Sequence, residues 1–235
     1  MQSSSNDISF TLFGFPTTIQ PFFWLIATFI AALSLGPIDV MPIWIVKLFL
    51  GITAILISII VHELGHALTF RHLFRTPSAI VLHGFGGYAV PLQTYHRHYG
   101  FASMLAHGFL SFSGPLAGFA LGFLMFALLA AVPKDGSLAS DLCLHFLYWM
   151  VWISIVWGIF NLLPIYPMDG GHISREIFLF FFPRQGIKFS LILSMMLAVS
   201  LAVFALWMNK FFLTFLFAYF AYQNYQEMSF RSFRY

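Results

Sequence analysis

Long apolar runs separated by short polar stretches dominate the chain, and their lengths indicate the predicted elements. A helix needs about 20 apolar residues to cross the hydrocarbon core of a bilayer. Six runs approach or exceed that length: residues 21–36, 48–70, 101–132, 142–163, 187–207 and 209–224. The pattern predicts an α-helical polytopic membrane protein with about six transmembrane helices. In the third run, Gly114-Pro115 predicts a break or a kink, because proline removes a helix hydrogen bond.

Two other stretches have the pattern of strands rather than of membrane spans. Residues 8–12 alternate apolar and polar side chains, which is typical of a half-buried strand. Residues 79–92 contain two short β-rich runs around a glycine-rich turn, which predicts a β-hairpin. Non-helical backbone at membrane depth must be buried by protein or line a water-filled cavity. We therefore expect a small re-entrant β-hairpin or sheet near the cytoplasmic side, with an ordinary cytoplasmic loop as the alternative.

The composition excludes the soluble classes of protein. Hydrophobic residues make up 60% of the 235 residues and charged residues 8%, whereas a soluble domain carries about 25% charged residues. The few charges cannot cover a soluble surface, and they also exclude a nucleic-acid partner. We predict a single integral-membrane domain over residues 1–235, with its core in spans 48–70, 101–132 and 142–163. The first twenty residues contain no Lys or Arg, so no secretory signal is predicted.

The basic residues predict an orientation in the membrane. With six spans both termini lie on one side, and the side richer in Lys and Arg is cytoplasmic. The side of the termini carries Arg71, Arg75, Arg97, Arg175, Arg184, Lys188, Arg231 and Arg234. The opposite side carries Lys47, Lys134 and Lys210. Both termini of this multi-pass protein are therefore predicted to be cytoplasmic.

The run His62-Glu63-Leu64-Gly65-His66 is the strongest chemical signal, and it lies within the second predicted span. Residues i and i+4 share one face of an α-helix, so both imidazoles can bind one metal ion. Glu63 lies beside that face, where it can act on a bound water molecule. Three ionisable groups in one apolar helix are costly and mark a functional site rather than a satisfied polar cluster. The H-E-x-x-H pattern thus predicts a zinc centre.

A catalytic zinc site has three protein ligands and an open position, so a third ligand is required. The fourth span ends in NLLPIYPMDGGH, residues 161–172. Its two prolines end the helix, and we expect the chain to continue in an extended conformation on the same side of the membrane as His66. Asp169 is the leading candidate ligand, unless it only caps a short turn. His172 and Glu176 are alternative ligands.

Together these motifs resemble the site-2 protease family of intramembrane zinc metalloproteases. That family joins H-E-x-x-H on one membrane helix to N-x-x-P-x-x-P-x-D-G on another, as residues 62–66 and 161–170 do here. Gly86-Gly87-Tyr88-Ala89 is similar to the family's re-entrant β-hairpin, and residues 113–118 are similar to its helix between the two site helices. The resemblance covers about residues 8–180 and is to the compact six-span members without a PDZ or CBS domain.

The resemblance implies a role for each of these motifs. It implies one Zn²⁺ per chain with His62, His66 and Asp169 as ligands. It also implies Glu63 as the catalytic base and Asn161 as a residue in contact with substrate. A strand of the hairpin can hold an unwound substrate by β-augmentation. The hairpin residues assigned to substrate binding are Gly86, Gly87, Tyr88, Ala89 and Val90.

The activity implied by the resemblance is hydrolysis of a peptide bond in or near the transmembrane segment of a membrane-anchored substrate. The expected substrate is a single-span membrane protein, either a transcriptional regulator or its anchor. The expected surroundings are the lipid bilayer of a bacterial-type cell membrane, where a regulatory membrane partner is also expected.

Other polar and small residues are interpreted as structural. Gly114, Gly118 and Gly122 recur every four residues on the third span, which favours close helix packing over catalysis. The remaining histidines are expected to be interfacial or packing residues. They include His72, His83, His96, His98, His107 and His145.

Two other classes of membrane protein are the alternatives. A di-iron desaturase or hydroxylase needs several histidine boxes such as HxxxH and HxxHH, but here only His62/His66 and His96/His98 cluster. A non-enzymatic metal-binding or transport protein has no need of Glu63 between its ligands. Metal content distinguishes the first alternative, and Glu63-dependent proteolysis distinguishes the second.

Overall fold

The computed structural model of the chain describes most of the sequence. The described residues are 6–33, 35, 41–84, 86–93 and 100–232. His96, Arg97, His98 and Arg234 lie outside these ranges, so the predictions that involve them rest on the sequence.

The described residues form four strands and seven helices. The strands are β1 Ile8–Leu12, β2 Phe15–Ile19, β3 Ser78–His83 and β4 Gly86–Pro91. The helices are α1 Pro21–Ala32, α2 Met41–His72, α3 Phe101–Leu129, α4 Leu138–Asn161, α5 Asp169–Phe181, α6 Gly186–Trp207 and α7 Phe211–Ser232.

Four helices of the described residues are long and apolar enough to cross a bilayer. They are Pro42–His72 within α2, together with α3, α4 and α6. The prediction of six spans is not confirmed. The 12 residues of α1 extend over about 18 Å, which is short of a hydrocarbon core of about 30 Å. The 22 residues of α7 are long enough, but the polar residues from Gln223 to Glu227 lower the mean hydropathy of the helix.

The four strands form one sheet with the order β1-β2-β3-β4. β1 pairs antiparallel with β2, β2 parallel with β3, and β3 antiparallel with β4. The predicted strand at residues 8–12 and the predicted hairpin are thus confirmed. β3 is an interior strand, so β4 is the edge that the hairpin leaves open. β2 was not predicted, because Thr17 lies on its buried face beside Phe15 and Ile19 and hides the apolar alternation.

The structure bears on two local predictions from proline and glycine. α3 continues through Gly114 and Pro115, so the predicted break does not occur, and the alternative of a kink stays a prediction. The chain after Pro167 is not extended, because α5 begins at Asp169. A carboxylate in the first turn of a helix is stabilised by the helix dipole, which favours this start.

The chain divides into two compact units, Met1–Tyr95 with Ser113–Gly158 and His96–Phe112 with Ile159–Tyr235. The first unit has its core where the sheet packs on α1 and α2. Phe15 of β2 and Ile80 of β3 are buried there against Phe23 of α1 and Ile55 of α2. α2 and α4 are also joined by a polar contact, since the hydroxyl of Ser154 donates to that of Ser58 over 3.1 Å.

The second unit has its core where the segment between α4 and α5 packs on α6 and α7. Ile165 and Met168 of that segment are buried with Ala198 of α6 and with Phe217 of α7. Asn224 of α7 is completely buried. Its amide nitrogen donates hydrogen bonds to the carbonyls of Tyr166, over 2.6 Å, and of Phe220, over 2.7 Å.

The hydrogen bond from Asn224 to Tyr166 predicts a stability effect. Replacing Asn224 with Ala leaves the Tyr166 carbonyl without this donor, which costs about 1–3 kcal/mol of unfolding free energy. We expect a lower thermal unfolding temperature of the detergent-solubilised chain. The matched control is Gln226→Ala, which removes an exposed amide from the same helix. Equal unfolding temperatures for the two variants would contradict the role assigned to Asn224.

Candidate metal centre

α2 places the two motif histidines one above the other. His62 and His66 are one helical turn apart, and their ring centroids are 5.1 Å apart. The side chains are 3% and 7% exposed. The two imidazoles are thus buried and close together on one face of an apolar helix, and their role as metal ligands stays a prediction.

α3 approaches this pair of rings at a glycine. A methyl group on Gly114 would collide with Nε2 of His66 and would lie 2.7 Å from Nε2 of His62. At the preceding residue of each helix, a methyl group on Gly65 of α2 would collide with the carbonyl oxygen of Ser113 of α3. Both Nε2 atoms therefore face a small space that is kept open by the absence of a side chain on α3.

The predicted glycine stripe on α3 also packs as expected. Gly122 lies against Ile155 of α4, where a methyl group would be 2.7 Å from Cδ1. Gly118 lies near the Ser154 carbonyl, at 3.4 Å from such a methyl group. Helix packing is thus confirmed for these two positions, whereas Gly114 borders the histidine rings. No signal in the sequence separated Gly114 from the other two glycines.

Glu63 is 3% exposed and lies beside the start of β4. A methyl group on Gly87 would be 2.7 Å from Cγ of Glu63, and one on Gly86 would be 2.9 Å from the indole of Trp157. Only glycine backbone fits these two close contacts. The first residues of the hairpin strand β4 are therefore packed directly against the predicted catalytic base.

Asp169 begins α5 and is held by a tightly packed segment. Methyl groups on Gly170 and Gly171 would collide with the backbone of residues 162–166, so both glycines are required for this packing. The amide of Tyr166 donates to the hydroxyl of Ser194, over 3.1 Å. The Tyr166-Pro167 peptide bond is cis.

One ligand atom from each of His62, His66 and Asp169 lies within 4.8 Å of the ligand atoms of the other two. Two imidazole nitrogens and one carboxylate oxygen are a donor set typical of zinc with an open coordination position. The space beside Gly114 is consistent with an ion between the two Nε2 atoms. The residues present therefore fit a metal ion of this kind.

The other candidate residues have different surroundings. The ring of His172 packs edge-on against Tyr166, with centroids 5.0 Å apart. The guanidinium carbon of Arg175 lies 4.0 Å from the centroid of the same ring. Asn161 is the last residue of α4 and is half-buried. The role of Asn161 in binding substrate stays a prediction.

The hairpin side chains are partly exposed. Tyr88 of β4 is 38% exposed, and its ring centroid is 5.4 Å from that of His83 of β3. Burial lowers the pKa of His83 below its ordinary value, which favours a neutral imidazole. Ala89 and Val90 are half-buried. Their roles in substrate binding likewise stay predictions.

Sequence reasoning missed the residues that support the Asp169 segment. Ser194 and Asn224 hold the backbone of Tyr166 from α6 and α7. Each is a fully buried polar residue. Polar residues inside predicted spans were the available signal, because buried polar groups need partners.

Known proteins similar to this chain agree with these features. Residues 130–204, which include Asp169, match the model of Peptidase family M50. Rip3 of Mycobacterium tuberculosis H37Rv, provisionally named a zinc metalloprotease, is 28% identical over 155 residues, 66% of this chain and 37% of that protein. Zinc metalloprotease MJ0392 of Methanocaldococcus jannaschii is 26% identical over 175 residues, 72% of this chain and 44% of that protein. The chain thus spans less than half the length of these curated relatives.

A solved structure has the same fold. The site-2 protease from Methanocaldococcus jannaschii matches with a TM-score of 0.61 and 23% identity, covering 94% of this chain and 95% of that chain. The fold is therefore that of this solved site-2 protease. With four described helices long and apolar enough to cross a bilayer, the chain is an integral membrane protein, and the resemblance to the site-2 protease family noted in the sequence is confirmed.

The space beside Gly114 predicts an effect on metal binding. We expect Gly114→Ala to weaken the binding of a transition metal by roughly 10- to 100-fold, the range for displaced supporting groups of a metal site. The physical reason is the collision of the new methyl group with His66. Metal content after dialysis against graded chelator measures the affinity.

Gly108→Ala is the matched control for this experiment. It makes the same substitution on α3, where a methyl group would meet no atom within 4 Å. Alanine favours a helix over glycine, so neither variant should weaken α3 itself. If both variants retained the affinity of the unsubstituted chain, the assigned role of Gly114 would be wrong.

Proposed function

We propose that this chain is an intramembrane zinc endopeptidase. It hydrolyses a peptide bond in or near the transmembrane segment of a single-span membrane protein. The observation that carries the proposal is the proximity of the ligand atoms of His62, His66 and Asp169, with the buried Glu63 in the same motif. The match of residues 130–204 to the model of Peptidase family M50 and the names of the relatives support the same reaction.

His62, His66 and Asp169 hold the zinc ion in this proposal. Zinc, when bound, polarises the scissile carbonyl and lowers the pKa of a water molecule. The helix spacing of the two histidines sets the direction of their nitrogens. The carboxylate of Asp169 is set by the tight packing of Gly170 and Gly171. This ligand set leaves room for substrate, as a catalytic site requires.

Glu63 is the general base and then the general acid. Its carboxylate accepts a proton from the attacking water and delivers that proton to the leaving nitrogen of the cleaved peptide bond. The carboxylate is enclosed by β4 at Gly87. That contact restricts the rotamers of Glu63 and so holds the proton-transferring oxygen in one place.

β4 positions the substrate. A peptide bond inside a helix is shielded by its own hydrogen bonds, so the substrate must be unwound before hydrolysis. β4 is one of the two edge strands of the sheet and begins beside Glu63. An extended substrate segment can pair with the backbone of Gly86 to Val90 and thereby present its peptide bond to the base.

Asn161 donates a hydrogen bond to the substrate backbone in this proposal. It ends α4 eight residues before Asp169 and starts the family motif. A side-chain amide can donate to a carbonyl and accept from an amide, so it can pair with a backbone C=O or N–H group of an extended substrate segment. Its half-buried position leaves part of the side chain accessible.

α1 and α7 complete the six predicted spans in this proposal. Most exposed positions of α1 are apolar and include Phe22, Leu25 and Phe29, which suits contact with lipid. The exposed positions of α7 include Phe211 and Phe215. With six spans the excess of basic residues places both termini in the cytoplasm of a bacterial-type cell.

The substrate class follows from the family rather than from a pocket of this chain. We propose a membrane-anchored transcriptional regulator or its anchor, with a second membrane protein controlling access. A di-iron oxygenase and a non-enzymatic metal-binding protein are disfavoured, because the three ligands form a set for a single ion with Glu63 in its motif.

Substituting the base separates catalysis from metal binding. We expect Glu63→Gln to abolish cleavage of a co-expressed single-span substrate while the zinc content stays at one per chain, since the three ligands are unchanged. The contrasting variant is Asp169→Ala, which should lose zinc as well as activity. Cleavage is read by the appearance of the product on a gel and zinc by elemental analysis. Residual cleavage by Glu63→Gln would remove Glu63 as the base, and full zinc in Asp169→Ala would remove Asp169 as a ligand.

The role of β4 predicts a difference between backbone and side-chain changes. We expect Val90→Pro to reduce turnover at least tenfold without loss of zinc, because proline removes a backbone donor from the strand. Val90→Ala is the matched control and should retain most activity, since pairing uses backbone groups. Thermal unfolding of both variants verifies that the sheet remains folded. Equal losses in the two variants would assign Val90 a packing role instead.

A further inference from the structure

A cavity lined by basic and hydroxyl side chains lies where α2 ends and the hairpin begins. Its volume is about 290 Å³. Two arginines and two hydroxyl residues contribute to its lining: Arg71, Arg75, Thr76 and Ser78. Among the described residues that line it, none is acidic, so the cavity has a positive charge that no neighbouring carboxylate in its wall neutralises.

The two arginines are held in different ways. Arg71 donates from Nη2 to the carbonyl of Phe13 over 3.1 Å, and its guanidinium carbon lies 3.7 Å from the ring centroid of Phe15. Arg71 thus fastens the turn between β1 and β2 to the end of α2. Arg75 is exposed and has a φ of 51°, in the left-handed region that favours glycine. A non-glycine residue in this region carries backbone strain.

Ser78 adds a buried donor to the cavity. Its side chain is 2% exposed, and its hydroxyl has no hydrogen-bond partner among the described residues. The hydroxyl of Thr76, by contrast, donates to the carbonyl of Phe74 over 2.9 Å. A buried hydroxyl without a partner costs free energy, so Ser78 points to a ligand that accepts a hydrogen bond.

The rim of the cavity is apolar. Leu92 lines it and is 53% exposed. Phe13, in the turn that Arg71 holds, is 74% exposed, and Leu73 just after α2 is 51% exposed. The cavity lies at the end of α2, a helix long and apolar enough to cross a bilayer, so in the proposal below these apolar side chains lie where headgroups meet acyl chains.

We propose that this cavity binds the phosphate group of an anionic phospholipid. Arg75 and Ser78 donate hydrogen bonds to the phosphate oxygens, a pairing that suits the planar, charged guanidinium. The apolar rim contacts the start of the acyl chains, and this favours a lipid over free phosphate. The lipid would hold the base of the hairpin, because Ser78 of β3 pairs with Pro91 of β4.

Lipid titration of the purified full-length chain tests this site. Dioleoylphosphatidylglycerol is added to the detergent-solubilised protein, and bound lipid is counted by native mass spectrometry. We expect Arg75→Gln to weaken binding by about fivefold or more, as for loss of one basic contact to an anionic lipid. We expect Ser78→Ala, which removes the buried hydroxyl donor, to weaken binding by about fivefold or more as well. Arg184→Gln, which removes an exposed arginine outside the cavity, is the matched control and should bind as the unsubstituted chain does. Dioleoylphosphatidylcholine, whose choline offsets the phosphate charge, should bind more weakly than phosphatidylglycerol.

A further variant separates lipid binding from folding. Arg75→Gly relieves the left-handed backbone at this position, so its lipid-free unfolding temperature should equal or exceed that of the unsubstituted chain while its phosphatidylglycerol binding falls. Equal binding by all variants would overturn the site. In a parallel titration, inorganic phosphate should leave the unfolding temperature unchanged up to millimolar concentration. If phosphate raised that temperature through Arg75 and Ser78 while phosphatidylglycerol did not bind, the lipid assignment would be wrong.

Discussion

The close approach of α2 and α3 is the constraint on which the candidate metal centre depends. Backbone of α3 reaches the histidine rings because Gly114 has no side chain, and Gly65 permits the contact from the other helix. In a membrane, helices associate through such small residues rather than through exclusion of water. The contact therefore both packs the helices and leaves the space in which the ligand nitrogens face one another.

The segment between α4 and α5, which leads to the predicted ligand Asp169, obeys a second constraint, which is the pairing of its backbone. Between α4 and α5 the chain is not helical, so its amides and carbonyls cannot pair within a helix. In an apolar environment each unpaired group is costly. Ser194 and Asn224 supply partners for Tyr166 from two neighbouring helices. Polar residues in apolar helices thus determine the conformation of the segment that precedes Asp169.

Local patterns predicted the elements that depend on few distant contacts. The spacing of His62 and His66 was readable because a helix has a fixed period, and β1 and the hairpin were readable from alternation. α5 was missed because Gly170 and Gly171 count against a helix, although their small size is what the packing requires. The supporting roles of Gly114 and Asn224 depend on contacts distant in sequence, which a single chain without tertiary information does not reveal.

The position of β4 at the edge of the sheet has a consequence for selectivity. Main-chain amides and carbonyls are the same for nearly every residue, so pairing at this edge discriminates little between amino acids. Discrimination then falls on how readily a segment gives up its helical conformation. Under the proposed function, transmembrane segments rich in glycine or β-branched residues, which are poor helix formers, would be cleaved fastest, and stable helices of leucine and alanine would be cleaved slowly.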